Sequence, residues 1–401
     1  MKLSLILCFL CVVLGCKKSE NNVVSFPVQE KITTEMDAVM KSSDLPAIVA
    51  MASNKKGEEV SYSYGKAIWG ANDAVTPQHI FQLQSMTKLI TSIAALQLVE
   101  RGEIALDDDL SAVLPILKTI PILHKGKLTS PKNAITLRHL LTHTSGFGYT
   151  FTDLELSQFP YTNWNYPDGP RRFESGTQFL YGTSLAWVGK VIEKVSNTSL
   201  DIYVKEHITK PLNMQRTFFN VPDSLQQFIV TRGFRGADGK QSLRAIKDRV
   251  PRRKVTSYSG DDGLWSSPSD YMQLLKCMLN YGTLNGVKIL EKGTVEEMKN
   301  NQIGDISMDA SGNYFNPAYC CNLENFTTES TKWGLAWAID TEGKAYGRKP
   351  GTVYWGGMMN TYFYIDYTSE VAVCVFSQHI PFNHKATTTF LDSFSQVLYA
   401  N

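Results

Sequence analysis

Stretches with the pattern of β-strands stand at both ends of this chain, and stretches with the pattern of helices lie between them. Near the N-terminus, residues 46–52 and 59–64 flank a polar turn and predict a hairpin. The last third predicts more short strands and a closing helix, at 333–339, 352–355, 361–366, 371–377 and 384–399. These elements are arranged most simply as an α+β fold, with one antiparallel sheet built from both chain ends and a mostly helical insertion.

The first predicted helix of the insertion covers residues 85–102. Leu89, Ile93 and Leu96 repeat at helical spacing, and Gly102 is a plausible C-terminal stop. Further apolar residues widen this stripe, which indicates that the helix is buried. The helix therefore belongs to the core of the fold and not to its surface.

The rest of the insertion predicts further elements around this helix. A second helix begins at Ser184, a good N-cap residue, and a third runs through Cys277 and Leu279. Residues 226–234 have the pattern of a strand. Residues 147–172 are aromatic and polar and predict a long loop, which is either a separate hydrophobic cluster or one wall of a substrate cleft.

A serine and a lysine lie together at the start of the first helix. Ser85 and Lys88 are three residues apart, so their side chains share one face of the first turn. A serine hydroxyl is a weak nucleophile until a base takes its proton, and a lysine can be that base where burial and the helix N-terminus lower its pKa. Free backbone N–H groups at the same terminus can hold a developing oxyanion.

The Ser-x-x-Lys spacing is not specific by itself. It occurs also at Ser53 with Lys56 and at Ser63 with Lys66, in segments that have the pattern of a turn and a strand. The third occurrence differs because it opens a buried helix. The alternative is structural, with Ser85 as an N-cap and its lysine exposed to solvent. These residues alone leave both interpretations open.

Other polar residues of the insertion allow weaker assignments. Tyr181 precedes the second helix, where its phenol can point into a cleft or pack with its hydroxyl satisfied. His139 and His143 are four residues apart but lack the glutamate and third ligand of a zinc peptidase, so we interpret them as structural. Asp261 and Asp262 are assigned to a turn. No metal site and no cofactor are predicted.

The first residues have the pattern of an export signal. Lys2 is followed by an apolar run at 3–14, which is too short to span a membrane. Residues 13–16 resemble a bacterial lipobox, in which Cys16 would carry lipid, and the polar residues 17–25 would be a tether. The alternative is an ordinary secretory signal cleaved nearby. Both predict an exported protein, and the first a periplasmic or cell-surface lipoprotein.

The remaining cysteines and the net charge limit the possible partners. Beyond Cys16, the chain has Cys277 and Cys374 in apolar segments, typical of core thiols, and Cys320 and Cys321 in an irregular region. Their pairing cannot be deduced from the sequence. A net charge of +2 in 401 residues argues against nucleic acid as a partner.

Three short motifs together resemble one family. They are Ser85-Met-Thr-Lys88, Tyr181-Gly-Thr183 and Trp355-Gly-Gly357, in this order along the chain. With these motifs the chain resembles the serine β-lactamase and penicillin-binding-protein superfamily, within it the class C-like serine hydrolases, and most closely the family VIII carboxylesterases. The resemblance covers roughly residues 46–378 and implies a β-lactamase/transpeptidase-like fold.

The resemblance implies a role for each matching residue. Ser85 would be the acylated nucleophile, and Lys88 and Tyr181 would together move its proton. Backbone N–H groups of Ser85 and Met358 would form the oxyanion hole. The resemblance thus places the reacting groups on a helix start, a loop and a late strand.

Two departures from the class C pattern affect the predicted substrate. The resemblance implies that Thr183 and Trp355 lie on the substrate side of the site. Thr183 stands where class C β-lactamases have Asn, and Trp355 stands where they have the Lys of Lys-Thr-Gly, which helps to hold the β-lactam carboxylate. Trp355 with Gly356 and Gly357, which allow close approach to substrate, resembles the esterase branch. Arg348 precedes this strand and is interpreted as solvated surface charge.

The resulting prediction is a secreted serine hydrolase that acts on carboxylic esters through a Ser85 acyl-enzyme, with a small-molecule ester or amide as its partner. The alternatives are a β-lactamase or D-amino-acid peptidase, and a non-catalytic penicillin-binding-like lipoprotein. The predicted organisation is a signal peptide at 1–16, a tether at 17–25, a sheet domain at 26–84 and 290–401, and a mostly helical domain at 85–289, with the active site between the last two.

Overall fold

The computed structural model describes residues 23–248, 252, 254–308, 316–321, 323 and 326–400. The predicted export signal and Cys16 lie outside these residues. The helices are α1 (Gln29–Met40), α2 (Thr87–Glu100), α3 (Leu137–Leu141), α4 (Leu154–Gln158), α5 (Ser184–Ser196), α6 (Leu200–Val204), α7 (Pro268–Leu279), α8 (Lys292–Met298) and α9 (Lys385–Tyr399). None of those in the described part of the chain is long and apolar enough to cross a bilayer.

The strands form one large antiparallel sheet and several short pairs. The strands are β1 (Ala47–Asn54), β2 (Glu59–Gly65), β3 (Phe81–Gln82), β4 (Ile122–His124), β5 (Lys127–Thr129), β6 (Gly233–Phe234), β7 (Arg244–Ala245), β8 (Trp265–Ser266), β9 (Thr283–Leu284), β10 (Val287–Lys288), β11 (Lys332–Trp333), β12 (Ala338–Asp340), β13 (Thr352–Gly357), β14 (Thr361–Asp366), β15 (Val371–Phe376) and β16 (His379–Ile380). The large sheet has the order β11-β12-β13-β14-β15-β1-β2. Both chain ends therefore supply its strands, which confirms the predicted architecture.

Helices cover both faces of the sheet. Adjacent residues of β14 point to opposite faces, because side chains alternate along a strand. Tyr364 donates its hydroxyl to Ser395 of α9 at 3.2 Å, whereas the ring of Phe363 lies 5.8 Å from that of Tyr271 in α7. β13, β14 and β15 are buried along their whole lengths as a result.

α2 lies in the centre of the molecule. Every residue from Thr87 to Leu98 is buried, and α5 and α6 pack against the helix. A helix that is buried on all sides is a core helix, as the widened apolar stripe predicts. Gly102 follows the end of α2 with φ of 70°, and its N–H donates to Val99, so the predicted helix stop is confirmed.

Several local predictions are wrong. Residues 226–234 do not form one strand; Asp223–Phe228 is a 3-10 helix, and β6 alone is a strand. Residues 333–339 form two strands, β11 and β12, joined by a turn. Ser184 is the first residue of α5 and not its cap, since its hydroxyl is paired with that of Ser145 at 2.8 Å.

Arg348 is also not a solvated surface residue. It is 8% exposed and donates to Asp340 on β12 at 2.7 Å. A buried guanidinium with a carboxylate partner stabilises the turn before β13 and is not available to a substrate. Among the cysteines, Cys277 and Cys374 are buried, as predicted for core thiols, and Cys320 and Cys321 are both free.

Candidate active site

Ser85 lies where a short strand passes into the buried helix α2. A single 3-10 turn, Gln84–Met86, joins β3 to the helix. Gln84 has φ of 51°, a left-handed conformation that few residues with a side chain adopt. The N-cap of α2 is Met86, which makes no side-chain capping bond. Ser85 is therefore not the cap of α2, and its hydroxyl is half-buried at the start of the helix.

Lys88 is the closest polar partner of Ser85. Its side chain is 2% exposed, so the alternative of a solvated lysine is wrong. Its Nζ donates to Ser85 Oγ at 3.1 Å, to the Tyr149 hydroxyl at 3.0 Å and to the backbone carbonyl of Asp261 at 2.9 Å. These three acceptors fix the position of the amine. The amine is thus held in contact with the serine hydroxyl, where a base for a nucleophile must lie.

Tyr149 is a site residue that the sequence placed only in a possible cleft wall. Its hydroxyl accepts from Lys88 and donates to Asp261 Oδ2 at 2.7 Å. Burial, together with the Asp261 carboxylate, raises the pKa of Tyr149 well above its usual range, so the phenol remains protonated. Asp261 serves more than the predicted turn, since its carboxylate also accepts from Ser259. The sequence signal for Tyr149 was only its position in an aromatic loop.

Replacing Tyr149 with phenylalanine should lower kcat/KM by roughly 10- to 100-fold, because Lys88 loses an acceptor and Asp261 loses a donor in a buried network. Turnover of a chromogenic ester by the purified variant measures the loss. Tyr161→Phe is the matched control, since Tyr161 belongs to the same loop, is 40% exposed and lies outside the described lining of the cleft. Equal rates in the two variants would show that the Tyr149 hydroxyl does not support the site.

Tyr181 lies beside Lys88 and is held by Trp355. The Tyr181 hydroxyl accepts from Trp355 Nε1 at 2.9 Å, and Lys88 Nζ lies 4.9 Å from the centre of the Tyr181 ring. The His143 ring packs against the Tyr181 ring at 4.5 Å. Burial and the nearby Lys88 charge hold the pKa of His143 well below its usual range, so its imidazole is neutral. The indole of Trp355 thus fixes the position of the Tyr181 hydroxyl beside Lys88.

Thr183 does not lie in the cleft. Its hydroxyl donates to Asp168 Oδ2 at 2.5 Å, and Trp187 Nε1 donates to the same oxygen at 2.9 Å. Burial raises the pKa of Asp168. The Thr183 hydroxyl therefore orders the start of α5. It does not lie on the substrate side, where the resemblance implied that it would.

Two glycines let β13 lie against the turn that carries Ser85. A Cβ at Gly357 would lie 2.1 Å from the carbonyl oxygen of Leu83, and a Cβ at Gly356 would meet its nearest neighbours at 3.0 Å. Only a glycine permits the first of these approaches. Met358 follows the strand and lines the same cleft as Ser85. The strand thus brings its end to the nucleophile turn, as the predicted oxyanion hole requires.

Gly357→Ala should destabilise the protein by about 2 kcal/mol and reduce its activity, since the added methyl group forces β13 away from the nucleophile turn. Urea unfolding and ester turnover are the measurements. Gly293→Ala is the control, because a Cβ there meets nothing within 4 Å and alanine is favoured inside a helix such as α8. A Gly357→Ala protein as stable and active as this control would contradict the close approach.

An apolar cleft opens over Ser85. Aromatic and aliphatic side chains form most of its walls, among them Phe151, Phe179, Leu180, Phe326, Met358 and Phe382. Asp262 is the one charged side chain among the described residues that line it. The aromatic loop thus supplies part of a cleft wall, through Tyr149 and Phe151. In the described part of the chain, no group of three or more His, Cys, Asp or Glu residues could hold a metal ion.

The chain is similar to several known proteins. The family model described as Beta-lactamase matches residues 32–392. Monacolin J acid methylbutanoyltransferase from Aspergillus terreus is 29% identical over 346 residues, which are 80% of this chain and 81% of that enzyme. Lovastatin esterase from Penicillium rubens is 27% identical over 385 residues, which are 83% of this chain and 88% of the esterase.

A solved structure has the same fold. Unliganded simvastatin synthase (LovD) from Aspergillus terreus matches with a TM-score of 0.81 and 24% identity, over 92% of this chain and 98% of that one. The family model spans most of the chain and includes the strands and helices that position Ser85, Lys88 and Tyr181. We conclude that this chain belongs to the Beta-lactamase family and is a serine hydrolase-like enzyme with the serine β-lactamase/penicillin-binding-protein fold.

Proposed function

We propose that this enzyme acts on carboxylic esters through an acyl-enzyme formed at Ser85. The observation that carries the proposal is the 3.1 Å contact between Lys88 Nζ and Ser85 Oγ at the start of a buried helix. A hydroxyl in contact with a buried amine has a partner for its proton, which is what a nucleophilic serine requires. Two relatives named as a methylbutanoyltransferase and an esterase favour esters over amides.

In this mechanism Ser85 Oγ attacks the ester carbonyl while Lys88 and Tyr181 take and pass on its proton. The backbone N–H groups of Ser85 and Met358 stabilise the negative charge on the carbonyl oxygen. The Tyr181 hydroxyl donates a proton to the departing alcohol oxygen, and Trp355 holds that hydroxyl in place. Water or a second alcohol then attacks the acyl-enzyme by the same route in reverse.

The cleft favours a neutral acyl group. Its described lining is mostly apolar and contains no Lys or Arg that could pair with a carboxylate. A β-lactam or a D-amino-acid peptide carries a carboxylate that needs a cation, and Trp355 stands where class C β-lactamases have one. These features support an ester with an apolar acyl chain over the β-lactamase or peptidase alternative. Acyl transfer to an alcohol is the second candidate, because one relative is named as a transferase.

Turnover of p-nitrophenyl butanoate beside a chromogenic cephalosporin tests the proposal, with Ser85→Ala as the blank. We expect rapid ester turnover that disappears in the variant, and little cephalosporin cleavage. Product analysis in the presence of a primary alcohol shows whether the acyl group goes to the alcohol or to water. Efficient cephalosporin cleavage with little ester turnover would overturn the proposed substrate class.

Tyr181→Phe should slow turnover by about 100-fold or more, as expected for loss of an acid or base group. Both the formation of the acyl-enzyme and its hydrolysis should slow, and stopped-flow measurement of p-nitrophenol release separates the two. Tyr161→Phe again serves as the control in an exposed position. A Tyr181→Phe enzyme with unchanged rates would remove the hydroxyl from the mechanism.

We also propose that the enzyme is exported and anchored by lipid at Cys16. The support is the sequence pattern, an apolar run at 3–14 followed by Gly15 and Cys16. Expression of the full chain in a bacterium, followed by membrane fractionation, tests this location. The protein should sediment with membranes, and Cys16→Ala should release it or leave its signal uncleaved. A wild-type protein whose intact mass shows no added lipid would contradict lipidation.

A further inference from the structure

A second groove adjoins the cleft on the other side of the loop that carries Asp261. We name it the basic groove; its described lining includes Gln82, Arg232, Asp248, Arg252, Lys254 and Trp265. Asp262 lines both the cleft and the basic groove, so the two meet there. Gln82 ends β3, three positions before Ser85. A substrate that occupied both the apolar cleft and the basic groove would pass Asp262.

Two guanidinium groups in the basic groove share one carboxylate partner. Arg232 Nε donates to Asp248 at 3.2 Å, and Arg252 Nη2 donates to the same carboxylate at 2.5 Å. One carboxylate neutralises one guanidinium, so this pair of arginines keeps about one unit of positive charge. Arg232 also donates through Nη1 to the Gln82 side chain at 3.1 Å, which ties the charged cluster to the strand before the nucleophile.

Lys254 adds a second cation to the groove. Its neighbour Asp223 lies 3.9 Å away, and the two side chains are 67% and 69% exposed. An exposed pair at this separation contributes little, so the amine remains available to another anion. The opposing charge at the groove is Asp262, at the junction with the cleft. The three cations therefore face two carboxylates within the described lining.

The stretch of sequence that supplies Asp248, Arg252 and Lys254 is rich in basic residues. Six of the eleven residues at 244–254 are Lys or Arg and one is Asp, in a chain with a net charge of only +2.

The groove also has an apolar surface, which the ring of Trp265 provides. The Arg252 guanidinium lies 4.4 Å from the centre of the Trp265 ring, which fixes the cation above an apolar surface.

We propose that the basic groove binds an anionic group, a carboxylate or a phosphate, on the alcohol side of the ester, while the acyl chain occupies the apolar cleft. This inference rests on the proposed ester function, and it names the chemical class of the alcohol part of the substrate. In hydrolysis this alcohol is the leaving group, and in acyl transfer it is the acceptor.

The transfer step needs no further reactant. The bond between Ser85 Oγ and the acyl carbon breaks, and the bond between the alcohol oxygen and the acyl carbon forms. The alcohol proton passes to Ser85 Oγ through Tyr181 and Lys88. Binding of the anion in the basic groove places the alcohol oxygen beside the acyl carbon and so raises the rate.

Four butanoyl or succinyl esters of one benzylic alcohol skeleton test the proposal. They carry a neutral carboxamide, a carboxylate or a phosphate on the alcohol part, or a carboxylate on the acyl part instead. We expect kcat/KM for at least one alcohol-side anion to exceed that of the neutral ester by about tenfold or more, as for hydrogen bonds to charged groups. The faster of the two alcohol-side anionic esters shows whether the groove prefers a carboxylate or a phosphate.

Variants then locate the anion. Lys254→Gln and Arg252→Gln should each remove most of the preference for the alcohol-side anion over the neutral ester. Lys292→Gln is the matched control, because Lys292 is 70% exposed, pairs with Glu296 and lies outside both described linings. Lys254→Glu, at an exposed position, should reverse the preference.

Three results would overturn the inference. They are equal rates on neutral and alcohol-side anionic esters, a preference that survives Lys254→Glu, and a preference for the anion on the acyl side. If Ser85-dependent turnover of the neutral ester is still observed, each of these results leaves the proposed function intact. Absence of turnover on all four esters would contradict the proposed function and this inference together.

Discussion

Replacing Ser85 with alanine should reduce ester turnover by at least about 10⁴-fold and leave the fold intact. The serine oxygen is the atom that carries the acyl group in the proposed acyl-enzyme. Loss of this nucleophile therefore removes nearly all of the rate. The stability change should be about 1 kcal/mol, since one hydrogen bond from Lys88 is lost. Turnover, urea unfolding and intact mass after incubation with ester measure the three expectations.

The chain supplies a matched control for this variant. Ser63 belongs to another Ser-x-x-Lys sequence, but it lies exposed on β2. Ser63→Ala should therefore keep full activity and full stability. The wild-type protein and Ser63→Ala should both gain the mass of one acyl group, and Ser85→Ala should not. Retention of turnover in Ser85→Ala would exclude the proposed nucleophile.

Replacing Lys88 with methionine should slow formation of the acyl-enzyme by about 10³-fold, within the range for loss of a general base. Methionine has a similar length and is apolar, so the buried site accepts it without a cavity. Tyr149 keeps its bond to Asp261, which preserves the neighbouring loop. The rate of the p-nitrophenol burst measures acylation directly, because it reports the first chemical step.

Lys66 provides the control for this variant. It is the lysine of the Ser-x-x-Lys sequence that begins at Ser63, and it directly follows β2. Its Nζ donates to the carbonyl of Asn72 at the surface, so Lys66→Met should leave the burst unchanged. A burst rate in Lys88→Met within about tenfold of wild type would mean that another group takes the serine proton. Tyr181, with its hydroxyl already held by Trp355, would then be the group to test.

Local sequence patterns identified the elements whose geometry is repetitive. β1, β2, β13, β14 and β15 were predicted as strands because their residues are apolar or alternate, and α2 because its apolar residues repeat at helical spacing. The spacing of Ser85 and Lys88 on one turn follows from the same periodicity. Failures occurred where no repeat exists: residues 226–234 are apolar enough for a strand, yet a 3-10 helix occupies their first part.

The contacts that complete the site join residues far apart in the chain. Lys88 meets Tyr149 across 61 positions and Asp261 across 173, and Trp355 meets Tyr181 across 174. No short pattern connects such residues, so Asp261 was assigned to a turn and Tyr149 to a loop. The family resemblance supplied Tyr181 and Trp355, but it did not indicate that the indole donates to the phenol.

The sequence by itself determined the sheet from both chain ends, the buried central helix and the Ser85–Lys88 pair, because each depends on periodicity or on a short motif. Only the tertiary structure decided which polar groups meet Lys88, that Thr183 turns to Asp168 and that Arg348 is buried. The physical reason is that hydrogen-bond partners in a core are chosen by packing, which brings together side chains that no local rule links.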